Sequence, residues 1–275
     1  MQNDRTSKVR ILLLGDIVGP AGCAIFQKHI SRIKEKYNIS GVIVNGENSA
    51  CDGRGITVKL MNFFKHNGAN VVTTGNHIWA KKEIYQYLKE NKDLLRPANF
   101  PNECPGTGVT TFTIGSTVIG VINLQARIFM RDNLSCPFKA ADTLLTFLRT
   151  KTNIIFVDFH GEATAEKMGL AYYLDGRISG FVGTHTHVQT ADERILPNGT
   201  AYITDMGMAG ALNSMIGMKK DPIIQNLITQ MPVKFEVETE GPMVMSGVFI
   251  DVDINSGKAL HIERIYIIDH DIKLN

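Results

Sequence analysis

Eight residues of the chain have types and spacing suited to chemistry: Asp16, Glu47, Asn48, Asn76, His77, His160, His185 and His187. Each stands at the end of an apolar run. Asp16 follows Val9–Gly15, Glu47 and Asn48 follow Val42–Gly46, and Asn76-His77 follows Val71–Gly75. His160 follows Ile154–Phe159, and His185-Thr186-His187 follows Phe181-Val182-Gly183 with one Thr between. Short apolar runs closed by glycine and polar residues predict buried strands. Open α/β sheets bind ligands beyond the carboxyl ends of their strands. Five strands would therefore deliver carboxylate, amide and imidazole donors to one edge of one sheet. Zinc, iron and manganese all accept such donors, and a pair of these cations suits hydrolysis.

Each member of the set also has a plainer reading. An Asp or Asn just after a strand is commonly a turn former or helix N-cap. A lone His160 would commonly be a hydrogen-bonded, half-buried imidazole. Glu47 is harder to explain away, because Glu is a poor turn residue and this one follows an apolar strand and a glycine. Imidazoles two apart in extended chain point to opposite sides, so His185 and His187 can converge only if the chain turns at the strand end. The ordered set carries more weight than any single residue in it.

The elements that must position these groups follow a βαβαβ rhythm in the first third of the chain. Helices are predicted around Ala24–Tyr37, Val58–His66 and Lys81–Glu90, with Gly19-Pro20-Ala21-Gly22 as a turn after Asp16. That glycine-rich stretch lacks the spacing of a dinucleotide or nucleoside-triphosphate phosphate loop. Such a rhythm implies parallel strands with right-handed crossovers. Val109–Ile114 and Val118–Asn123, separated by Gly115-Ser116-Thr117, predict a hairpin. Helices near Ala140–Arg149 and Ala163–Tyr173 flank the Ile154–Phe159 strand. After His187 the chain is mostly β, with Thr200–Ile203 and a hairpin of Met245–Ile254 with Ala259–Ile268. The Gly- and Met-rich segment Thr204–Gly210 could line a pocket or form a packed loop. Parallel βα units followed by antiparallel hairpins predict an α/β fold with two stacked sheets and outer helices, a four-layer α/β/β/α sandwich. No repeat or linker-like stretch interrupts it, so residues 1–275 are expected to form a single domain.

Composition narrows the class. The chain has 275 residues, 44% of them hydrophobic, and can bury a large core. A net charge of +2 offers no support for a polyanion-coating or membrane-surface protein. The first apolar run ends after Leu14, shorter than a signal peptide core or a membrane span. Cys23, Cys51, Cys104 and Cys136 are widely spaced with no Cys-x-x-Cys pair, which predicts free thiols and a cytoplasmic setting.

The order Asp, acidic residue, Gly-Asn-His, His, Gly-x-His-x-His resembles the calcineurin-like metallophosphoesterase superfamily. Within it, the chain is similar to the YmdB-like family of bacterial 2′,3′-cyclic-nucleotide 2′-phosphodiesterases over nearly all of residues 8–270. The matching segments include Gly-Asp-Ile-Val-Gly at 15–19, Asn-Gly-Glu-Asn-Ser at 45–49, Thr-Gly-Asn-His-Ile-Trp at 74–79 and Arg-Pro-Ala-Asn-Phe-Pro at 96–101. The longest runs from Asp158-Phe159-His160 through Gly183–Asp192 to Gly217. The broad superfamily usually carries Asp-x-His at its first strand, where this chain has Val18, which cannot bind a metal. The YmdB-like family shares that difference, which makes Asn48 the substitute ligand. The resemblance implies two transition-metal ions, iron or alternatively manganese. It assigns Asp16, Glu47, Asn48 and His187 to one, and Glu47, Asn76, His160 and His185 to the other, with Glu47 bridging and His77 as proton donor. Relatives often carry Thr-Gly-Pro in the Met208–Ser214 loop, so substrate preference stays open.

The chemistry so implied is attack of a metal-bridging hydroxide on the phosphorus of a cyclic nucleotide, 2′,3′-cyclic and also 3′,5′-cyclic. The expected partners are such small phosphodiesters and short RNA, with a second copy of the chain in a homo-oligomer and no membrane. Three other functions would use similar residues differently. A phosphomonoesterase or nuclease would act on short nucleic-acid ends. A regulatory protein would use the metals structurally. An amidohydrolase would want its His-x-His at the first strand, whereas here it comes late.

Overall fold

The structure is a computed structural model and describes residues 8–274. Strand β1 (Lys8–Leu14) runs into the short β2 (Asp16–Ile17) and helix α1 (Gly19–Lys36). Then come β3 (Gly41–Asn45), α2 (Val58–His66), β4 (Val71–Thr73) and α3 (Ile84–Glu90). A hairpin of β5 (Val109–Ile114) and β6 (Thr117–Gln125) leads to α4 (Pro137–Leu148), β7 (Ile155–His160), α5 (Thr164–Leu174) and β8 (Gly180–Thr184). The remainder is β9 (Arg194–Ile195), β10 (Ala201–Ile203), β11 (Met208–Ala211), α6 (Lys220–Thr229), β12 (Met243–Asp253) and β13 (Ala259–Asp269).

The strands form two sheets. One has the order β2-β11-β12-β1-β3-β4, with β13 also paired to β12; the other has the order β5-β6-β7-β8-β10-β9. In the first sheet β1, β3 and β4 are parallel, and β12 lies antiparallel to β1 with Lys8 opposite Asp253 and Leu14 opposite Gly247. The unbroken apolar run of β1 follows from burial on both faces. Ile11 and Leu13 pack between the sheets with Phe156, Val182 and Ile250, while Leu12 and Leu14 pack outward against Phe26 of α1 and Phe64 of α2. A third cluster joins Leu124 and Phe159 to Leu145 of α4 and Leu170 of α5 on the far face of the second sheet. The molecule is therefore a four-layer α/β/β/α sandwich. Burying one Leu or Ile is worth roughly 1.5–3 kcal/mol, so the inter-sheet layer is a principal source of stability. No helix of the described residues is long and apolar enough to cross a membrane.

Several boundaries differ from expectation. Helix α1 begins at Gly19, so Gly19–Gly22 is its first turn rather than a free turn; Pro20 near the helix start forfeits only an N–H that the helix does not use. Lys81-Lys82-Glu83 precedes α3 instead of opening it, after a 3-10 turn over Ile78–Ala80. Glu83 Oε1 there accepts the Val58 N–H at the start of α2. Within Thr204–Gly210, Met208 opens β11, so much of the segment is packed sheet. Helix α6 has no counterpart among the predicted elements, and none of its residues is buried.

Candidate metal centre

All eight candidate residues sit at the carboxyl ends of strands, but the strands belong to both sheets. The first sheet contributes Asp16 in β2, Glu47 and Asn48 after β3, and Asn76 and His77 after β4. The second contributes His160 at the end of β7, and His185 and His187 after β8. The single sheet edge expected from sequence is thus the shared rim of two stacked sheets.

His160 is at the middle of one cluster. Its Nε2 lies 3.1 Å from Glu47 Oε1, 3.0 Å from Asn76 Oδ1 and 3.0 Å from His185 Nδ1. Ligand atoms of Glu47, His160 and His185 all fall within 4.8 Å of one another. A second group surrounds Asp16, whose Oδ1 is 3.9 Å from His187 Nε2 and 3.8 Å from His160 Nδ1. Asp16 Oδ2 accepts the His185 N–H at 3.1 Å. Asn48 donates its Nδ2 to the Gly53 carbonyl at 2.9 Å, which fixes the amide and leaves Oδ1 facing away from that bond.

Three of the imidazoles are anchored through their outer ring nitrogens. His160 Nδ1 lies 3.0 Å from Thr184 Oγ1, which donates to Asp158 Oδ1 at 2.7 Å. His185 Nε2 lies 3.3 Å from Glu162 Oε2, and His187 Nδ1 lies 2.8 Å from the Ile216 carbonyl. In a neutral ring an N–H on the outer nitrogen would leave a lone pair on the inner one, an arrangement that orients imidazole ligands. His185 and His187 hold φ of 102° and 64°, left-handed backbone that non-glycine residues rarely adopt. The chain therefore does turn there, and both rings come to Asp16 and His160. Bracing comes from the buried Lys167 Nζ, 2.8 Å from Asp205 Oδ2, which also accepts the Thr186 N–H at 3.1 Å. Glycine is needed beneath the cluster, where a β-carbon on Gly75 would overlap the His160 ring and Glu47 Oε2.

Electrostatics mark the rim as a place for positive charge. Burial raises the Asp16 carboxyl, against the pull of His187 and His160. Burial would also raise Glu47, but the charge and hydrogen bond of His160, then those of His77, hold it well below the usual carboxylate range. Burial pushes the His160 ring down, and Glu47 more than reverses this, with Asp16 and Asp158, to about 9. Burial and the His160 charge push His185 down to about 3. Burial raises Asp158 to about 6 despite its bonds from Thr73 and Thr184. Asp16 Oδ1 and Asn48 Oδ1 are buried with no hydrogen-bond partner among the described residues. Orphaned acceptors of that kind are costly unless a ligand satisfies them. Carboxylate, amide and imidazole donors, with two unsatisfied oxygens among them, fit a divalent or trivalent transition metal.

His77 lies beside this cluster. Its N–H donates to Glu47 Oε2 at 3.2 Å, and its Nδ1 is 3.2 Å from both Glu47 Oε1 and Asn48 Nδ2. Nε2 has no hydrogen-bond partner among the described residues, and the side chain is 30% exposed.

Sequence reasoning did not single out the supporting groups Asn45, Thr73, Asp158, Glu162, Lys167, Thr184 and Asp205. The signal available for Asp158 and Thr184 was a polar residue inside an otherwise apolar strand. Lys167 and Asp205 gave none, being 38 positions apart.

Residues 12–265 match the family described as YmdB-like protein. The chain is 47% identical over 261 residues to the 2′,3′-cyclic-nucleotide 2′-phosphodiesterase of Bacillus subtilis (strain 168), covering 95% of this chain and 98% of that one. The crystal structure of a novel phosphatase of Mycoplasma pneumoniae superposes with a TM-score of 0.90 at 35% identity, over 97% of this chain and 95% of that one. A hypothetical protein from Thermus thermophilus superposes with a TM-score of 0.88 at 35% identity, over 95% and 100% of the two chains.

Proposed function

The chain belongs to the YmdB-like protein family, and from that premise we propose that it is a metal-dependent phosphodiesterase that opens 2′,3′-cyclic nucleotides by release of the 2′-oxygen, with 3′,5′-cyclic nucleotides as further substrates. Asp16, Glu47, Asn48 and His187 would hold one metal ion, and Glu47, Asn76, His160 and His185 the other. Iron is the expected metal and manganese the alternative. Such cations, when bound, make hydroxide available near neutral pH and offset charge gathering on the phosphoryl oxygens. The observation that carries the reading is the pair of buried, unsatisfied oxygens on Asp16 and Asn48 beside the converging Glu47, His160 and His185.

The chain's own residues supply the rest. Thr184, Glu162 and the Ile216 carbonyl hold the three imidazoles in orientation. His77 is the proton donor to the departing 2′-alkoxide. His77 Nδ1 is held beside Glu47 Oε1 and Asn48 Nδ2, and Nε2, which has no partner among the described residues, would carry the proton that the imidazolium gives up to leave a neutral ring. Four free cysteines suit a cytoplasmic setting.

Metal analysis of protein purified without chelator, paired with a panel of 2′,3′-cyclic AMP, 3′,5′-cyclic AMP, a phosphomonoester and a short RNA, tests the reading. Two metals per chain and preferred turnover of 2′,3′-cyclic AMP are expected. Preference for the monoester or the RNA would overturn the substrate class, and a metal-free yet active protein would overturn the site.

A further inference from the structure

Phe129 is the most exposed large apolar side chain among the described residues, at 83%, and its backbone sits at φ 61°. A bulky side chain disfavours that left-handed region, and an aromatic ring in solvent returns no burial energy. Local strain of this kind persists where surrounding structure enforces it, and it concentrates at ligand-contacting segments.

The enforcement is visible. The nearly buried Glu166 accepts the Arg127 N–H at 3.0 Å through Oε1 and the Ile128 N–H at 2.8 Å through Oε2. Asn99 Oδ1 accepts the Gln125 N–H at 3.0 Å, and Gln125 Nε2 donates to Asp132 Oδ2 at 2.9 Å across the base of the loop. The position is equally defined. Gln125 is in register with His160, and the Ala126 N–H donates to the His160 carbonyl at 2.9 Å. Three residues of chain span at most ~11 Å, so the Phe129 backbone lies no further than that from Ala126, beside the strand end that carries His160, a reach within which a nucleoside fits. Arg127 and Arg131, both exposed, flank it on the same loop.

We propose that Phe129 is a stacking platform for the nucleobase of the cyclic nucleotide, holding the nucleoside while its phosphate lies at the metal centre. This rests on the cyclic-nucleotide reading above. Every base has a π-face, so the platform would favour nucleotides over base-free phosphodiesters without strong choice among bases.

The test compares Phe129→Asn and Phe129→Trp with the parent holoenzyme. Substrates are 2′,3′-cyclic AMP and the base-free methyl riboside 2,3-cyclic phosphate; equilibrium binding of adenosine 3′-phosphate is measured as well. Phe129→Asn should raise KM for 2′,3′-cyclic AMP about 10-fold with kcat nearly unchanged, and weaken adenosine 3′-phosphate binding about 10-fold, as expected for one lost stack. Kinetics on the base-free substrate should not move. Trp should restore the parent values. Asn tolerates left-handed backbone, so Tm should be unchanged or higher. Equal losses on both substrates, or unchanged KM and binding for the adenine compounds, would overturn the platform. If the parent enzyme ignored both cyclic phosphates, the functional reading would fail by itself, and adenosine 3′-phosphate binding would still decide the role of Phe129.

Discussion

Glu47 is the one residue assigned to both cations, and its carboxylate lies within hydrogen-bonding distance of both His160 and His77. Glu47→Gln keeps the shape but removes the charge, so metal content should fall at both positions with activity nearly abolished. Two metals per chain and normal turnover in that variant would refute the shared assignment. His77 completes neither ligand set, so His77→Ala should keep its metals and fold. Loss of a general acid costs roughly 10²–10⁴ in rate, and the cost should depend on the leaving group. A ribose alkoxide needs a proton as it departs, whereas p-nitrophenolate does not. Turnover of 2′,3′-cyclic AMP should therefore collapse while bis-p-nitrophenyl phosphate is much less affected. A uniform loss would make His77 a positioning residue. At this scale the sequence was legible wherever a ligand type ended an apolar run. It was silent on what orients each ring, because Thr184, Glu162 and Ile216 reach their partners only through the fold.

Elements carry a second class of dependence. The loop bearing His185 and His187 is braced by Lys167 of α5 against Asp205, an ion pair with both side chains buried. Lys167→Met should cost roughly 3–5 kcal/mol by leaving the Asp205 charge unpaired, and Lys167→Met with Asp205→Asn should recover part of it. Chemical denaturation of the single and double variants checks this. Helix α1 is tied to the end of β13 through Asp269, which meets Lys28 at 2.8 Å and His29 Nε2 at 2.5 Å. Burial would raise the Asp269 carboxyl, but the hydrogen bonds from Lys28, the Asp271 N–H and His29 hold it well below its ordinary value. A carboxyl depressed on folding contributes stability above its unfolded pKa, near ~3.9, and loses it as pH falls through the lower folded value. Asp269→Asn should thus lower Tm at pH 7, and the difference should shrink as the pH is taken down through that window. The strands were legible because runs such as Leu12–Leu14 are apolar throughout. The start of α1 was not, since Gly19-Pro20 reads as a turn until tertiary contacts carry the helix through it. Helix α6 leaves no such trace, because its apolar residues mark no face that the chain itself covers.

Across the whole molecule, stability and chemistry are separable. Three apolar layers hold the sandwich together without the metal rim. Chelation should accordingly abolish activity while the protein stays folded, with Tm falling only by the linkage that bound metal had added. Circular dichroism beside an activity assay checks this, and unfolding on chelation would mark the metals as structural. Helix α6 exposes Ile224, Leu227 and Ile228, and a groove of about 1270 Å³ lies beside it, lined by Phe235, Tyr266 and Ile268 among others. The homo-oligomer expected from sequence would find a large uncovered apolar surface there. Leu227→Glu with Ile228→Glu should alter stability by no more than ~0.5 kcal/mol each, as surface changes do, yet shift sedimentation toward the single chain. An unchanged sedimentation coefficient would remove this face from any assembly.

The pairing of β1 with β12 sets a timetable for the nascent polypeptide. Every candidate ligand lies between Asp16 and His187, yet the partner that pins β1 along its length, from Lys8 opposite Asp253 to Leu14 opposite Gly247, is made after all of them. A chain halted just beyond His187 would contain all the donor atoms and lack both β12 and β11, whose Met208 pairs directly with Asp16. Such distant pairings close slowly. A chain cut just after residue 187 should therefore take up no metal, which metal analysis of that fragment would check.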